Sequence, residues 1–256
     1  MVSNKMGFDL KLQGLVTVVT GASAGIGRET ACLLAQQGAK VIAVARRKHL
    51  LQQLQQEINS QGGWCEICDT DLSQTHSVEH VIGVAEQHGG CDILINNAGG
   101  SRPMTWQAPE QDWDEAFAVN WHAVRKLTHA ALPAMISKKF GRVICVTGTA
   151  EPSSLNAANA AKAAVHAWSK GLSRDIAKQG VTVNCVQPGR IHSEQLDQPK
   201  YELYKDPQEF IQRNIPMGRM GDPIDVARMI AFLASPLSGY ITGERFYIDG
   251  GLHRST

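Results

Sequence analysis

The sequence predicts an α/β protein, one doubly wound parallel sheet with helices on both faces. Three observations carry that expectation. Short apolar, β-branched runs recur, such as residues 15–20 and 181–187, and runs of this kind suit strands buried on both sides. Longer stretches of helical period separate them, the alternation that builds βαβ units. Between the first run and the first helical stretch stands Gly21-Ala-Ser-Ala-Gly25-Ile-Gly27, a turn that leaves room for close backbone approach.

Chain-wide properties narrow the field. A length of 256 residues suits one domain, residues 1–256, and 43% hydrophobic with 19% charged residues are ordinary globular values. A net charge of +1 gives no reason to expect nucleic acid or an anionic membrane as a partner. No apolar run approaches the roughly 18–20 residues that span a bilayer, and the N-terminus has no apolar signal core. A cytoplasmic enzyme acting on a small molecule is the expectation. Of six cysteines, Cys65 and Cys68 form a C-x-x-C pair, but three residues apart in a strand they point to opposite faces. Free, buried thiols and no metal site are expected.

In order, the first strand feeds the glycine turn, a helix to about Gln37 stopped by Gly38, and a second strand, Lys40–Val44. In such a unit the glycines let a pyrophosphate lie against the helix N-terminus. Gly21, Ser23, Ala24, Gly25, Ile26 and Gly27 are therefore candidate dinucleotide contacts; a purely structural turn is the alternative. At the tip of the second strand an acidic residue would bond the adenosine ribose and favour NAD(H). Ala45-Arg46-Arg47 stands there instead, with two guanidiniums suited to a 2′-phosphate. NADP(H) is preferred and NAD(H) remains possible; as an alternative, Arg46 and Arg47 cap a surface helix.

A helix over about Lys48–Ser60 and a strand over Trp64–Cys68 lead to Asp71 and Leu72. Asp71 reaches the adenine edge, or else Asp71 or Ser73 caps a helix over residues 73–88. A fourth strand, Cys91–Ile95, runs into Asn96-Asn97-Ala98-Gly99-Gly100, small residues that admit a ligand. Pro109 to about Ser137 reads as one long helix with Asn120 inside it, and Gly141–Thr147 as the fifth strand. Residues 157–179 form an alanine-rich helix carrying Lys162 and His166, the latter expected to be structural. The sixth strand ends in Pro188-Gly189-Arg190-Ile191. Residues 192–217 are polar and lid-like, with a short helix at Pro207–Asn214; Tyr201 or Tyr204 folds over the site or simply lies on the surface. Asp222 caps a helix running to Ala234, with Pro223 at its first position.

Residues Thr20 to Gly27, Asn96-Asn-Ala-Gly99, Asn120, Lys162 and Pro188-Gly189 together resemble the motifs of the short-chain dehydrogenase/reductase family. The resemblance runs from about residue 8 to Gly251. It implies a Rossmann-type sheet of about seven parallel strands and a homotetramer or homodimer. NAD(P) contacts from Asn97, Ala98, Gly99, Lys162, Pro188, Gly189 and Ile191 are implied in addition to the glycine turn. It further implies that Asn120 disturbs its helix and holds a water linked to the catalytic Lys162, whose ammonium also bonds the nicotinamide ribose.

Two positions depart from the family pattern. The serine that holds a substrate carbonyl is replaced by Gly148, flanked by Thr147 and Thr149. Thr147 is the candidate hydroxyl donor if its side chain points toward the site, although strand alternation turns an immediate neighbour away. The tyrosine expected four residues before the lysine, on the same helix face, is Ala158. The longer spacing of the enoyl-reductase branch falls near Asn156, again without a phenol.

Two functional readings follow. The first is an NADP(H)-dependent oxidoreductase that moves a hydride to or from a small carbonyl, alcohol or conjugated enone. Its proton comes from Lys162, Glu151, a threonine hydroxyl such as Thr147, or a water held by Asn120. The second is a non-catalytic cofactor-binding sensor or structural subunit, which also expects the cofactor elements kept and both hydroxyls lost.

Overall fold

Seven strands form one parallel sheet: β1 (Val16–Thr20), β2 (Lys40–Ala45), β3 (Trp64–Asp69), β4 (Ile93–Asn96), β5 (Gly141–Val146), β6 (Val181–Pro188) and β7 (Arg245–Ile248). Their order is β3-β2-β1-β4-β5-β6-β7, so Val18 of β1 pairs with Ile42 on one side and Leu94 on the other. The computed structural model describes residues 9–149, 152, 154–193 and 207–254. The direction of winding reverses between β1 and β4. At such a switch the chain leaves neighbouring strands toward opposite faces, opening a crevice at their C-terminal ends.

The helices are α1 (Gly25–Gln36), α2 (Lys48–Ser60), α3 (Ser77–Glu86), α4 (Glu110–Phe117), α5 (Val124–Lys138), α6 (Ala157–Ile176), α7 (Pro207–Asn214) and α8 (Pro223–Ala234). Alternation along the strands divides the core into two layers. Val19, Val41 and Ala43 face Leu34 of α1, Leu54 of α2 and Ile230 of α8. Val18, Ile42 and Val44 face Val81 of α3, Leu127 of α5 and Val165 of α6. Cys65 and Cys68 lie in opposite layers, as their spacing predicts, and all six cysteines are free and buried. Burial pushes Cys65 up to about 12 and Cys68 to about 11, so both are unreactive thiols near neutral pH.

Three local features differ from the sequence reading. The helix expected from residue 73 starts at Ser77, because Asp71 Oδ1 accepts hydrogen bonds from Ser73 N (3.0 Å) and Ser73 Oγ (2.8 Å), forming a turn. The long helix of residues 109–137 is three pieces, with a π-helical segment at Ala118–Ala123 between α4 and α5. Asn120 sits inside that segment and donates from Nδ2 to Ala116 O at 2.8 Å. The alanine-rich helix ends as α6 at Ile176 and continues as a 3₁₀ turn over Ala177–Gln179.

One buried carboxylate ties the base of the sheet together. Asp92 accepts from Val16 N at 2.8 Å and pairs with the Lys138 ammonium, joining β1, β4 and α5. None of the described helices is long and apolar enough to cross a membrane. Among the described residues, no group of histidine, cysteine, aspartate and glutamate could hold a metal ion.

Candidate active site

The floor of the crevice is a knot between the ends of β1 and β4. Thr20 Oγ1 donates to Ile95 O at 3.1 Å and accepts from the N–H groups of Asn97 and Ala98, each at 2.9 Å. Asn97 Nδ2 donates back to Thr20 O at 3.0 Å. A Cβ on Gly27 would lie 2.4 Å from Asn97 Nδ2 and from Gly21 O, so only glycine lets α1 start this close to the knot. Ala24 precedes α1 without a side-chain cap, and Asp and Glu are absent from the first turn. The uncapped N–H groups and the adjoining glycines fit a bound pyrophosphate.

The tip of β2 forms the next corner. Arg47 donates to Ser23 Oγ from Nε (3.3 Å) and Nη2 (3.1 Å). Arg46 is 74% exposed and lies 3.8 Å from Asp71. Burial raises the Asp71 pKa, but hydrogen bonds from Ser73 and the charge of Arg46 outweigh it and hold the carboxyl below its ordinary value. Asp71 Oδ1 thus closes a turn rather than capping α3, which His76 precedes, while its second oxygen faces Arg46. Leu72 packs against the core layer that contains α3.

Deeper in the crevice stands Lys162. Its Nζ donates to Thr147 O at 3.4 Å, and among the described residues no carboxylate pairs with it. Burial lowers its pKa to about 8. Beside it, Asn120 Oδ1 accepts from Gly100 N at 3.2 Å, so the π-helical segment clamps the turn after β4. A Cβ on Gly99 would meet Asn120 Oδ1 at 2.5 Å and Lys162 Cε at 3.9 Å, which places the lysine stem, the asparagine and this turn around one point.

Thr147 does not face the crevice. Its hydroxyl lies 2.7 Å from His166 Nε2 and 3.3 Å from Val186 O, and the residue is 3% exposed. This is the outcome strand alternation predicts, and it removes Thr147 as a hydroxyl donor to substrate. His166 is the structural partner expected of it; burial lowers its pKa to about 4, keeping it neutral. Gly148, the next residue, does face the site: a Cβ there would be 3.3 Å from both Lys162 Cδ and Asn159 Oδ1. Ala158, one turn before Lys162 on α6, is buried, at 1% exposure. Glu151, Tyr201 and Tyr204 lie outside the described residues.

Two further segments complete the walls. Asn156 caps α6, accepting from Ala158 N (3.0 Å) and Arg102 N (3.1 Å), and donates to Ser101 Oγ at 2.7 Å. It thereby docks the loop after β4 onto the start of α6. On the other side, Gly189 N donates to Ile248 O at 3.0 Å just beyond Pro188. Arg190 O and His192 N bond Gly221, a pairing that turns the N–H and C=O of Ile191 the other way. Asn159 was not singled out in the sequence, although its place one turn before Lys162 puts it on the same helix face.

An intact dinucleotide crevice with a lysine at its inner end defines a nicotinamide-dependent oxidoreductase. The model of the enoyl-(acyl carrier protein) reductase family matches residues 21–253. The 3-oxoacyl-[acyl-carrier-protein] reductase of Vibrio cholerae is 35% identical over 249 residues, covering 95% of this chain and 99% of the relative. That of Escherichia coli is 35% identical over 248 residues, with the same coverage. Among solved structures, an Agrobacterium tumefaciens 3-oxoacyl (acyl-carrier-protein) reductase with NADP bound superposes with a TM-score of 0.90 at 30% identity, over 98% of this chain and 100% of that one. L-sorbose reductase from Gluconobacter frateurii, complexed with NADPH and L-sorbose, gives 0.91 at 27% identity, over 97% and 100%. The chain belongs to the short-chain dehydrogenase/reductase family, as a member resembling the 3-oxoacyl-acyl-carrier-protein reductases, and is an NAD(P)-dependent oxidoreductase.

Proposed function

We propose that the chain is an NADP(H)-dependent reductase of conjugated carbonyl compounds, enones or enoyl thioesters, with Lys162 as the proton donor. One observation carries this reading. A half-buried Lys162 ammonium, its pKa lowered to about 8, stands beside two positions, Gly148 and Ala158, that offer no hydroxyl to a carbonyl oxygen. Bound NADPH supplies the hydride. Arg46, Arg47 and Ser23 favour the phosphorylated cofactor, and Lys162 holds a proton that is present at neutral pH yet easily given up. A saturated ketone needs its oxygen protonated as hydride arrives, whereas a conjugated carbonyl spreads the charge over an enolate and tolerates a later proton transfer.

Reduction of a simple ketone or 3-oxoacyl thioester is the second reading, supported by what the relatives are named for. Assembly as a homotetramer or homodimer is supported by a run of small exposed residues along α6, Ala160, Ala163, Ala167 and Gly171. The substrate reading is tested by following NADPH oxidation with enones, enoyl thioesters, saturated ketones and 3-oxoacyl thioesters. Conjugated substrates should be favoured by about tenfold or more. The reverse ranking supports the second reading, and firm NADPH binding with no turnover on any of them would contradict both.

A further inference from the structure

We infer that Asn159 binds the carbonyl oxygen of the substrate, an assignment that rests on the reductase reading above. A Cβ built on Gly148 falls 3.3 Å from Asn159 Oδ1 and 3.3 Å from Lys162 Cδ. The carboxamide therefore borders the space that a side chain at position 148 would occupy, directly beside the lysine. The Asn159 backbone N–H donates to Asn156 O at 3.0 Å, but its half-buried carboxamide has no hydrogen-bond partner among the described residues. Asn156 is the contrast: all its side-chain bonds go to Arg102, Ala158 and Ser101, and they build the crevice wall.

A carboxamide can turn about its terminal bond to present either oxygen or N–H₂. Toward a carbonyl oxygen it presents Nδ2–H, a neutral donor that needs no proton transfer of its own. As hydride forms the new C–H bond at the β-carbon, the C=C electron pair shifts through the carbonyl and charge gathers on oxygen. The Asn159 hydrogen bond strengthens at that moment, which is where such a donor accelerates a reaction. Protonation of the α-carbon by the Lys162 ammonium completes the reduction and leaves a neutral amine that recovers its proton from water.

Asn159→Ala tests this without threatening the fold, since among the described residues the carboxamide holds no other group and alanine favours the helix. With an enone substrate, kcat should fall by about 100-fold or more while the NADPH Kd is unchanged. Adding Gly148→Ser to Asn159→Ala places a hydroxyl in the same space and should recover about tenfold or more of that loss. Binding of isobutyramide, an unreactive carbonyl compound, to the protein–NADPH complex gives a second readout that needs no turnover; its Kd should rise about tenfold in Asn159→Ala. A kcat and an isobutyramide Kd both within about threefold of the parent would overturn the assignment, as would failure of the parent complex to bind isobutyramide. A parent that turns over no substrate, yet loses isobutyramide affinity on Asn159→Ala, retains the carbonyl site and rejects the reductase reading alone.

Discussion

The corner at the tip of β2 can be dismantled one guanidinium at a time. Arg47 grips Ser23 Oγ through two nitrogens at 3.3 and 3.1 Å, so its charge is held over the glycine turn. A 2′-phosphate entering there exchanges a neutral acceptor for a doubly charged one, and charge-assisted hydrogen bonds contribute about 1.5–3 kcal/mol each. Arg47→Ala should therefore weaken NADPH by about 10- to 150-fold and NADH, which has no phosphate at this point, by less than about threefold. Arg46, exposed like Arg47, also shares its charge with Asp71, and this pairing reduces its share. Its removal should weaken NADPH by about 1.5- to 5-fold. The assay is fluorescence titration of each cofactor against the parent, the two single variants and the double variant. Equal losses for NADPH and NADH would refute the reasoning, because they would place the arginines on the half of the cofactor that both share.

Other outcomes follow from the same geometry. Gly148→Ser with Ala158→Tyr should introduce reduction of simple ketones by about 10²–10⁴-fold over the parent, at a stability cost of about 1–3 kcal/mol for placing a phenol where Ala158 is buried; a folded, NADPH-binding double variant with no ketone activity contradicts this. Asp92→Ala leaves the Val16 N–H without its partner and should lower unfolding free energy by about 2–4 kcal/mol in urea, whereas a loss under about 0.5 kcal/mol would dismiss the carboxylate as a structural tie. The proposed assembly through the exposed small-residue run of α6 predicts that Ala167→Glu lowers the mass read by light scattering; an unchanged mass, or a monomeric parent, contradicts that proposal.

The fold is legible in the sequence because a parallel sheet covered on both sides writes its strands as unbroken apolar runs. Val16–Thr20 and Val181–Pro188 are buried almost throughout. The start of α3 was not legible in this way. A short acceptor such as Asp71 can cap a helix or close a turn with the same atoms, and Ser73 decides it for the turn. Nor does helical period reveal the π-helical segment at Ala118–Ala123, since neither proline nor glycine marks it; only the family resemblance singled out Asn120. In the site, Gly148 and Ala158 stood out as missing hydroxyls, and alternation foretold the inward turn of Thr147. Asn159 was not legible because spacing puts it on the Lys162 face of α6 but does not show that a Cβ on Gly148 would lie 3.3 Å from its carboxamide.

Lys162 as the proton donor is tested most directly by the pH dependence of single-turnover reduction with saturating NADPH. Because burial lowers its pKa to about 8, the reducing form is the protonated one below that pH, and it is lost as pH rises. The rate should be level from about pH 6 to 7.5 and fall about tenfold per unit well above 8, with the reverse, oxidative reaction rising over the same range. Lys162→Arg, which stays charged, should bind NADPH but lose both the rate and the inflection. A rate level to about pH 10, or an inflection that survives in Lys162→Arg, would contradict the assignment.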